Sequence, residues 1–229
     1  MTVPQIKSGK LYALIGRSRS GKTQKALDLI KDIPCLLIWD VEEQYSQVTH
    51  RARSLPELTK YIELCAGKKA VIGYTGSLGD FNGFCKRAFW FIRKCGEQGV
   101  KSGVVLEETA DVTNPSKAPE WYGILLRRGL KYGPDIFAIT QRPAESDKTS
   151  VGNASIVHLC ALKLPSDRDY MMRMTGLPLD LIKGLKADQD NGKFDFVTID
   201  DNSSTYDLGQ LTFSGNKPKF TINQAQIPL

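Results

Sequence analysis

The sequence predicts an α/β fold in which helices flank both faces of a mostly parallel β-sheet. Short apolar runs alternate along the chain with longer segments of helical periodicity, which is the pattern of strand–helix units in a parallel sheet. Most of these runs are continuous rather than alternating, as expected for strands buried on both faces. The length of 229 residues and the 41% hydrophobic content suit one domain with a substantial core.

The apolar runs and the periodic segments follow each other in a regular order. Strands are predicted at 11–15, 35–40, 70–75, 103–108, 135–140, 155–164 and 194–200. Helices are predicted near 22–32, 54–65, 81–97, 118–131, 167–176 and 178–186. Residues 201–229 contain many turn-forming residues and no helical pattern. We therefore predict a single domain over residues 1–229, in which 201–229 form a C-terminal extension, either an edge strand or an arm that reaches a neighbour.

Composition excludes several classes of protein. The five cysteines show no C-x-x-C spacing, so buried, reduced thiols are expected. Two histidines are too few for a His-rich metal site. No stretch approaches the roughly 20 apolar residues of a membrane span, and residues 1–10 lack the hydrophobic core of a secretory signal, so we predict a cytoplasmic protein. The net charge of +6 favours an anionic partner such as nucleic acid only weakly.

The loop between the first predicted strand and the first predicted helix fits the pattern G-x-x-x-x-G-K-[ST], with the sequence GRSRSGKT at residues 16–23. Gly16 and Gly21 allow the backbone to wrap so that its N–H groups point at phosphate oxygens. Lys22 carries charge to the β- and γ-phosphates, and the Thr23 hydroxyl is suited to coordinate Mg²⁺. The pattern predicts ATP and Mg²⁺ as cofactors, bound by Gly16, Arg17, Ser18, Arg19, Ser20, Gly21, Lys22 and Thr23. The two arginines of this loop are unusual, and either contact phosphate or a neighbouring subunit or are solvated.

Polar side chains follow three further predicted strands. Glu107 and Glu108 come after an apolar run, where the first acid would serve Mg²⁺, partly through water, and the second would polarise the attacking water as general base. Asp40 ends another strand and is a rival for the Mg²⁺-side role, because its strand end faces the same crevice. Gln141 follows a third strand, where its amide can hydrogen-bond the γ-phosphate or the attacking water.

Several of these segments, taken in order, resemble the FtsK–HerA superfamily of P-loop ATPases. The run LLRRGLKYGPDIFAITQRPAE is similar to the helix, strand and TQRP segment of that superfamily, and IWDVEEQY is similar to the segment after its second strand. The run SVGNASIVHLCALKLPSDRDYMMRM resembles the strand and helix that follow. The likeness covers roughly residues 8 to 200. A short single-domain chain of this kind most resembles the genome-packaging ATPases of tailless icosahedral viruses with an internal membrane.

The resemblance implies a RecA-like P-loop NTPase core and a motor that couples ATP hydrolysis to translocation of double-stranded DNA into a preformed capsid. It implies a homo-oligomeric ring, usually a hexamer, with capsid-vertex or membrane-portal proteins as partners. The chain would then act in the host cytoplasm or at the packaging vertex of the virion. Glu107 takes the Mg²⁺-side position, Glu108 that of the catalytic base, and Gln141 that of the sensor. The family commonly has Asp before the catalytic Glu, so Glu107 places this carboxylate one methylene further out.

The resemblance also implies an arginine supplied in trans to stabilise the transferring phosphoryl group. Arg127 and Arg128 are candidates because they lie on the helix before the sensor strand, and Arg142 is a third. Related sequences often carry arginine where this chain has Leu130, which weakens the assignment.

A basic stripe marks the predicted helix at 81–97. Its members recur seven residues apart and therefore share one face: Lys86, Arg87, Arg93 and Lys94. Such a stripe on the inner surface of a ring could contact DNA phosphates without reading sequence. The alternative is a solvated helix face without a partner.

Other functions share part of the same pattern. A filamentous-phage-type assembly or secretion ATPase, similar to zonula occludens toxin, has a P-loop and related strands, but the absence of a membrane span counts against it. A small-molecule P-loop kinase needs a lid with clustered arginines, and TQRP has no place there. A nucleotide-dependent switch that barely hydrolyses ATP would not need Glu108.

Overall fold

The computed structural model describes residues 8–201, 204–215 and 217–229. Residues 1–7 lie outside the described residues. They make up most of the segment 1–10, for which the sequence predicts no secretory signal. The strands are β1 Leu11–Ile15, β2 Cys35–Trp39, β3 His50–Ala52, β4 Ala70–Tyr74, β5 Ser102–Leu106, β6 Asp135–Thr140, β7 Ile156–Cys160, β8 Ala187–Asp188, β9 Lys193–Asp200, β10 Thr205–Ser214 and β11 Lys217–Pro228. The helices are α1 Lys22–Ile30, α2 Leu55–Cys65, α3 Phe81–Glu97, α4 Glu120–Arg128, α5 Thr149–Gly152, α6 Pro165–Thr175 and α7 Leu179–Gly184.

All of these strands form one sheet, in the order β11-β10-β9-β7-β1-β6-β5-β2-β4-β3, with β8 beside β9. From β7 to β3 every neighbouring pair is parallel. β9, β10 and β11 are antiparallel to their neighbours. This confirms the predicted mostly parallel α/β fold and adds an antiparallel edge. Because parallel strands end together, the loops after β1, β2, β5, β6 and β7 meet at one edge of the sheet.

Helices cover both faces of the sheet. Residues of β1 alternate between two cores, since Ala13 and Ile15 belong to one cluster and Leu14 to the other. The cluster around Leu14 is closed by Ala26 and Ile30 of α1. The opposite and larger cluster contains residues of α2, α3, α4, α6 and α7. Among the described residues, α1 is therefore the helix that covers this part of the sheet, directly behind the loop at residues 16–23.

The C-terminal hairpin, which we define as β10 and β11, extends the sheet beyond β9. β9 runs antiparallel to β7 and so begins at the edge where β7 ends. The turn between β10 and β11 lies at this same edge, because β10 runs antiparallel to β9. The hairpin also contacts α1, where Lys25 Nζ lies 4.7 Å from the ring centroid of Phe220. β11 is the edge strand, and most of its side chains are exposed.

The structure differs from the sequence prediction mainly in short elements. β3, α5 and β8 were not predicted, because runs of two to four residues are too short for a period to be recognised. The predicted helix 118–131 is divided into α4 and a 3-10 turn at Leu130–Tyr132. A Cβ on Gly129, at the break, would lie 2.4 Å from the Leu125 carbonyl oxygen.

Two expectations from composition can be compared with the structure. All five cysteines are buried and free, which confirms the prediction of buried thiols. In the part of the chain that the structure describes, no helix has the length and apolar character that crossing a bilayer requires.

One buried histidine makes the stability of the fold depend on pH. His158 on β7 packs on Phe196 and shares a hydrogen bond with the Thr198 hydroxyl at 2.9 Å. Burial, reinforced by the charge of Lys25, lowers the pKa of His158 to about 3. The unfolded chain, with a His pKa of about 6.5, binds the extra proton first, so the free energy of unfolding should fall as pH drops below about 6.5. The contribution of His158 is at most about 1.4 kcal/mol per pH unit.

The measurement is urea unfolding between about pH 7.5 and 4.5, with His158→Gln compared with the wild type. The variant should show a shallower loss of stability towards acid. His50→Gln, on β3, controls for the loss of a histidine as such. Equal slopes in wild type and His158→Gln would contradict the assignment.

Candidate active site

The loop at residues 16–23 wraps tightly between β1 and α1. Two glycines permit this path. A Cβ on Gly16 would lie 2.6 Å from Ser20 Oγ and 2.7 Å from Cys160 Cβ. Gly21 has a φ of 101°, in the left-handed region, and a Cβ there would lie 2.9 Å from Leu211 Cδ2 of the C-terminal hairpin. The loop is thus supported from behind by β7 and by the hairpin.

Lys22 at the start of α1 lies inside this loop. Its side chain is nearly buried, and its Nζ donates to the Arg17 carbonyl at 2.9 Å. Burial lowers the pKa of Lys22, because the ammonium is desolvated. Among the described residues, no side chain caps the start of α1, and its first turn holds no acidic residue. A buried ammonium beside an uncapped helix start is a donor set suited to an anion such as a phosphate chain.

Glu107, directly after β5, approaches Lys22 from the strand end two places along the sheet from β1. Its carboxylate accepts a hydrogen bond from the Tyr45 hydroxyl. Burial raises the pKa of Glu107 to about 7, and the charges of Glu108 and Asp40 act in the same direction. The Tyr45 bond and Lys22 act against this shift but do not cancel it. A carboxylate held among other acids in this way gains from a divalent cation nearby, so the residues fit a bound Mg²⁺.

Glu108 adopts an unusual backbone conformation for a residue with a side chain. Its φ of 41° and ψ of 63° lie in the left-handed region, which costs on the order of 1 kcal/mol and occurs often at functional sites. The conformation lets Oε1 accept from the Gln141 backbone N–H at 3.0 Å and from the Thr140 hydroxyl at 3.2 Å. Oε2 receives no hydrogen bond from the described part of the chain. Glu108 is therefore fixed to the end of β6 with one oxygen available.

Asp40, the rival acid after β2, is already bound by protein groups. It is buried and accepts from the Gln44 backbone N–H at 2.6 Å and from Arg51 Nη1 at 3.1 Å. Arg51 also donates to the Tyr45 carbonyl at 3.2 Å. Asp40 thus shapes the turn that carries Tyr45 to Glu107, in addition to the effect of its charge on the pKa of Glu107.

These groups surround one cavity of about 370 Å³, which is within the size range of small-molecule sites. It is lined by Ser18, Arg19, Lys22, Thr23, Trp39, Asp40, Val41, Glu42, Gln44, Leu78, Glu107, Glu108, Asp111 and Gln141. The structure therefore brings together four of the eight predicted loop residues (Ser18, Arg19, Lys22 and Thr23), both glutamates and Gln141. Sequence reasoning did not single out Tyr45, although it is the tyrosine of the IWDVEEQY run that carries part of the resemblance.

The candidate trans arginines are not at this cavity. Arg127 and Arg128 are exposed at the end of α4. Because α4 leads back to the start of β6, and β6 ends at the site, these two residues lie towards the opposite edge of the sheet. Arg142 follows Gln141 but pairs with the buried Asp167, with Nε 3.1 Å from Oδ2, and with Glu145. Arg142 therefore joins the loop after β6 to α6. Arg127 and Arg128 are instead exposed, where a neighbouring subunit can contact them.

The basic stripe on α3 is only partly exposed, which corrects the sequence interpretation. Arg87 Nε donates to the Leu55 carbonyl at 3.0 Å and to Thr59 Oγ1 at 2.8 Å, so this side chain joins α3 to α2. The three remaining members are at the surface or half-buried, each beside one neighbour: Lys86 over Trp121, Arg93 paired with Glu97, and Lys94 over Trp90. The prediction of nucleic-acid contacts is thus reduced to Lys86, Arg93 and Lys94.

Comparison with known proteins adds to this geometry. No family model matches the chain. Protein P9 of Pseudoalteromonas phage PM2 is 29% identical over 158 residues, which are 68% of this chain and 70% of that protein. The genome packaging NTPase B204 from Sulfolobus turreted icosahedral virus 2, solved in complex with ATP-gammaS, has a TM-score of 0.67 at 17% identity, covering 87% of this chain and 96% of that one. The chain has the fold of the B204 packaging NTPase.

A second structure supports the same conclusion about the fold. B204, the DNA-packaging ATPase from Sulfolobus turreted icosahedral virus, has a TM-score of 0.63 at 14% identity, and covers 89% of this chain and 98% of that chain. The predicted resemblance to P-loop packaging ATPases is thereby confirmed at the level of fold. The likeness extends over almost the whole length of each B204 chain.

Proposed function

We propose that this chain is an ATP-hydrolysing motor that translocates double-stranded DNA and packages a viral genome into a preformed capsid. The observation that carries the proposal is the single cavity that holds Lys22, Thr23, Glu107, Glu108 and Gln141. A P-loop alone would indicate nucleotide binding. A carboxylate with a free oxygen, fixed beside a sensor amide, adds the means of hydrolysis. The B204 fold supports the packaging role, since those proteins package genomes.

Each residue has a distinct task in hydrolysis. Lys22 binds the β- and γ-phosphate oxygens in place of the Arg17 carbonyl, and the loop N–H groups cradle the phosphates. Thr23 and Glu107 would hold Mg²⁺, Glu107 partly through water, and the ion supplies positive charge to the phosphate oxygens. Glu108 accepts the proton of the attacking water at Oε2, and Gln141 orients that water or the γ-phosphate.

The motor function needs more than one copy of the chain and a DNA duplex along which the subunits move. We propose a homo-oligomeric ring, hexameric as in the family that the sequence resembles, with double-stranded DNA along Lys86, Arg93 and Lys94. Arg127 or Arg128 of one subunit would complete the site of the next, which their exposure allows. Capsid-vertex or membrane-portal proteins would anchor the ring, in the host cytoplasm or at the packaging vertex.

Steady-state ATP hydrolysis with Mg²⁺ tests this proposal, with and without long double-stranded DNA, over a wide range of protein concentration. DNA should stimulate turnover, and activity should rise faster than linearly with protein, because the site is completed by a neighbour. Heparin serves as a polyanion control and should stimulate less than DNA. Turnover that is linear in protein and indifferent to DNA would contradict the motor and direct attention to an assembly ATPase or a kinase.

A further inference from the structure

A second cavity adjoins the P-loop on the side away from the carboxylates. Its volume is about 210 Å³. One wall consists of residues 19–24, from the P-loop and the start of α1, and the other consists of Phe194, Leu211 and Phe213. Phe194 belongs to β9, and Leu211 and Phe213 belong to β10. The cavity therefore joins the P-loop to the C-terminal extension of the sheet.

The wall of this cavity that β9 and β10 form is aromatic and partly open to solvent. The rings of Phe194 and Phe213 are nearly perpendicular, with centroids 6.1 Å apart. Phe213 is 40% exposed, although Leu211 beside it is buried. A large aromatic side chain left open next to a ligand cavity is a ready surface for a flat ring.

The direction of the nucleotide follows from which groups line each cavity. Arg19, Lys22 and Thr23 line both, whereas Glu107, Glu108 and Gln141 line only the larger one. The reacting end of a triphosphate lies with the carboxylates. The phosphate chain then passes Lys22 and Thr23, and its nucleoside end emerges on the opposite side, at Gln24 and the hairpin.

We propose that the C-terminal hairpin and the neighbouring β9 supply the nucleobase pocket of this site, with Phe213 of β10 stacking on the base and Phe194 of β9 closing the pocket behind it. This inference rests on the proposed function, because it takes the larger cavity as the place of phosphate chemistry. The occupant is the base of the same ATP whose phosphates lie in the P-loop. The wall formed by β9 and β10 consists of three apolar side chains, so it contacts the face of the base and leaves the edge to Gln24.

The hairpin position is tied to the P-loop by other contacts. Leu211 Cδ2 lies 2.9 Å from the position that a Cβ on Gly21 would take. The ring of Phe220 contacts Lys25 of α1, with Nζ 4.7 Å from the ring centroid. Beside the hairpin, Arg17 Nη2 donates to the Ala187 carbonyl at 2.9 Å, which joins the P-loop to β8 and, through β8, to β9. A pocket wall fixed in this way adds binding energy without ordering a loose segment on each binding event.

The test measures the dissociation constants of ATP and of inorganic tripolyphosphate for the wild type and for Phe213→Ala. Calorimetry is carried out under conditions in which ATP is bound but not hydrolysed. Stacking on an aromatic side chain contributes roughly 1–3 kcal/mol per base, so the variant should bind ATP about tenfold more weakly. Its tripolyphosphate affinity should stay within about twofold of wild type, because the P-loop is unchanged. Phe213→Trp should restore ATP binding.

Ile222→Ala is the matched control, since Ile222 is an exposed apolar residue of the same hairpin that lines neither cavity. It should leave both affinities unchanged. Equal losses of ATP and tripolyphosphate affinity in Phe213→Ala would overturn the base pocket and make the hairpin a support of the P-loop. Unchanged ATP affinity would overturn it too. If the wild type binds neither ATP nor tripolyphosphate, the proposed function itself is wrong.

Discussion

Glu108→Gln is expected to bind ATP as tightly as the wild type and to turn it over about 10²- to 10⁴-fold more slowly, the usual contribution of a general base. The amide keeps a carbonyl oxygen that can accept the Gln141 N–H and the Thr140 hydroxyl bonds now made to Oε1. The side chain should therefore keep its position. What it loses is the ability to take a proton from water at the second oxygen.

The measurement pairs the dissociation constant of ATP with steady-state turnover, in the presence of DNA. Asp111→Asn is the matched control, because Asp111 is an exposed acid that lines the same cavity from the 3-10 turn Thr109–Asp111. It should change turnover by less than about threefold, as a surface substitution would. Turnover of Glu108→Gln within about tenfold of wild type would show that another group is the base.

Lys22→Ala should weaken ATP binding by about 10- to 100-fold, since one hydrogen bond to a charged group contributes roughly 1.5–3 kcal/mol. Lys22 is nearly buried, and its one hydrogen-bond partner among the described residues is the Arg17 carbonyl. Removing the ammonium leaves the P-loop N–H groups to bind phosphate alone. Tripolyphosphate affinity should fall by the same factor, which separates this loss from a change in the base pocket.

Lys31→Ala controls for the loss of one positive charge near α1. Lys31 follows the last residue of this helix and pairs with Asp28 at the surface, with Nζ 2.9 Å from Oδ1. Exposed pairs of this kind contribute little, so ATP affinity and thermal stability should remain close to wild type. Unaltered ATP binding in Lys22→Ala would contradict the assignment of this loop as the phosphate site.

The sequence was informative where chemistry follows a continuous motif or a strand end. The P-loop could be predicted because all of its residues are adjacent in sequence. Glu108 and Gln141 could be predicted because each follows an apolar run, and parallel strands bring such ends to one edge. Their contact through the Gln141 N–H and Glu108 Oε1 then follows from the adjacency of β5 and β6.

Contacts between distant elements could not be predicted in the same way. Tyr45 reaches Glu107 only because Asp40 and Arg51 shape the intervening turn. The position of Arg87 on a basic helical stripe gave no sign that Thr59 of α2 would bind it. The C-terminal hairpin pairs the mostly half-buried β10 with the mostly exposed β11, so its turn-rich sequence indicated an extension but not its contact with the P-loop.

The place of β1 in the sheet has a consequence for how the site comes into being. β1 leads into the P-loop, yet it lies between β6 and β7, with Leu11 opposite Ile136 and Tyr12 opposite Ile156. A nascent chain leaving the ribosome must therefore carry β1 without a partner until β6 has emerged, and without its second partner until β7 has emerged. Pairing over such sequence distances is slow. The ability to hold a nucleotide is thus acquired late during synthesis.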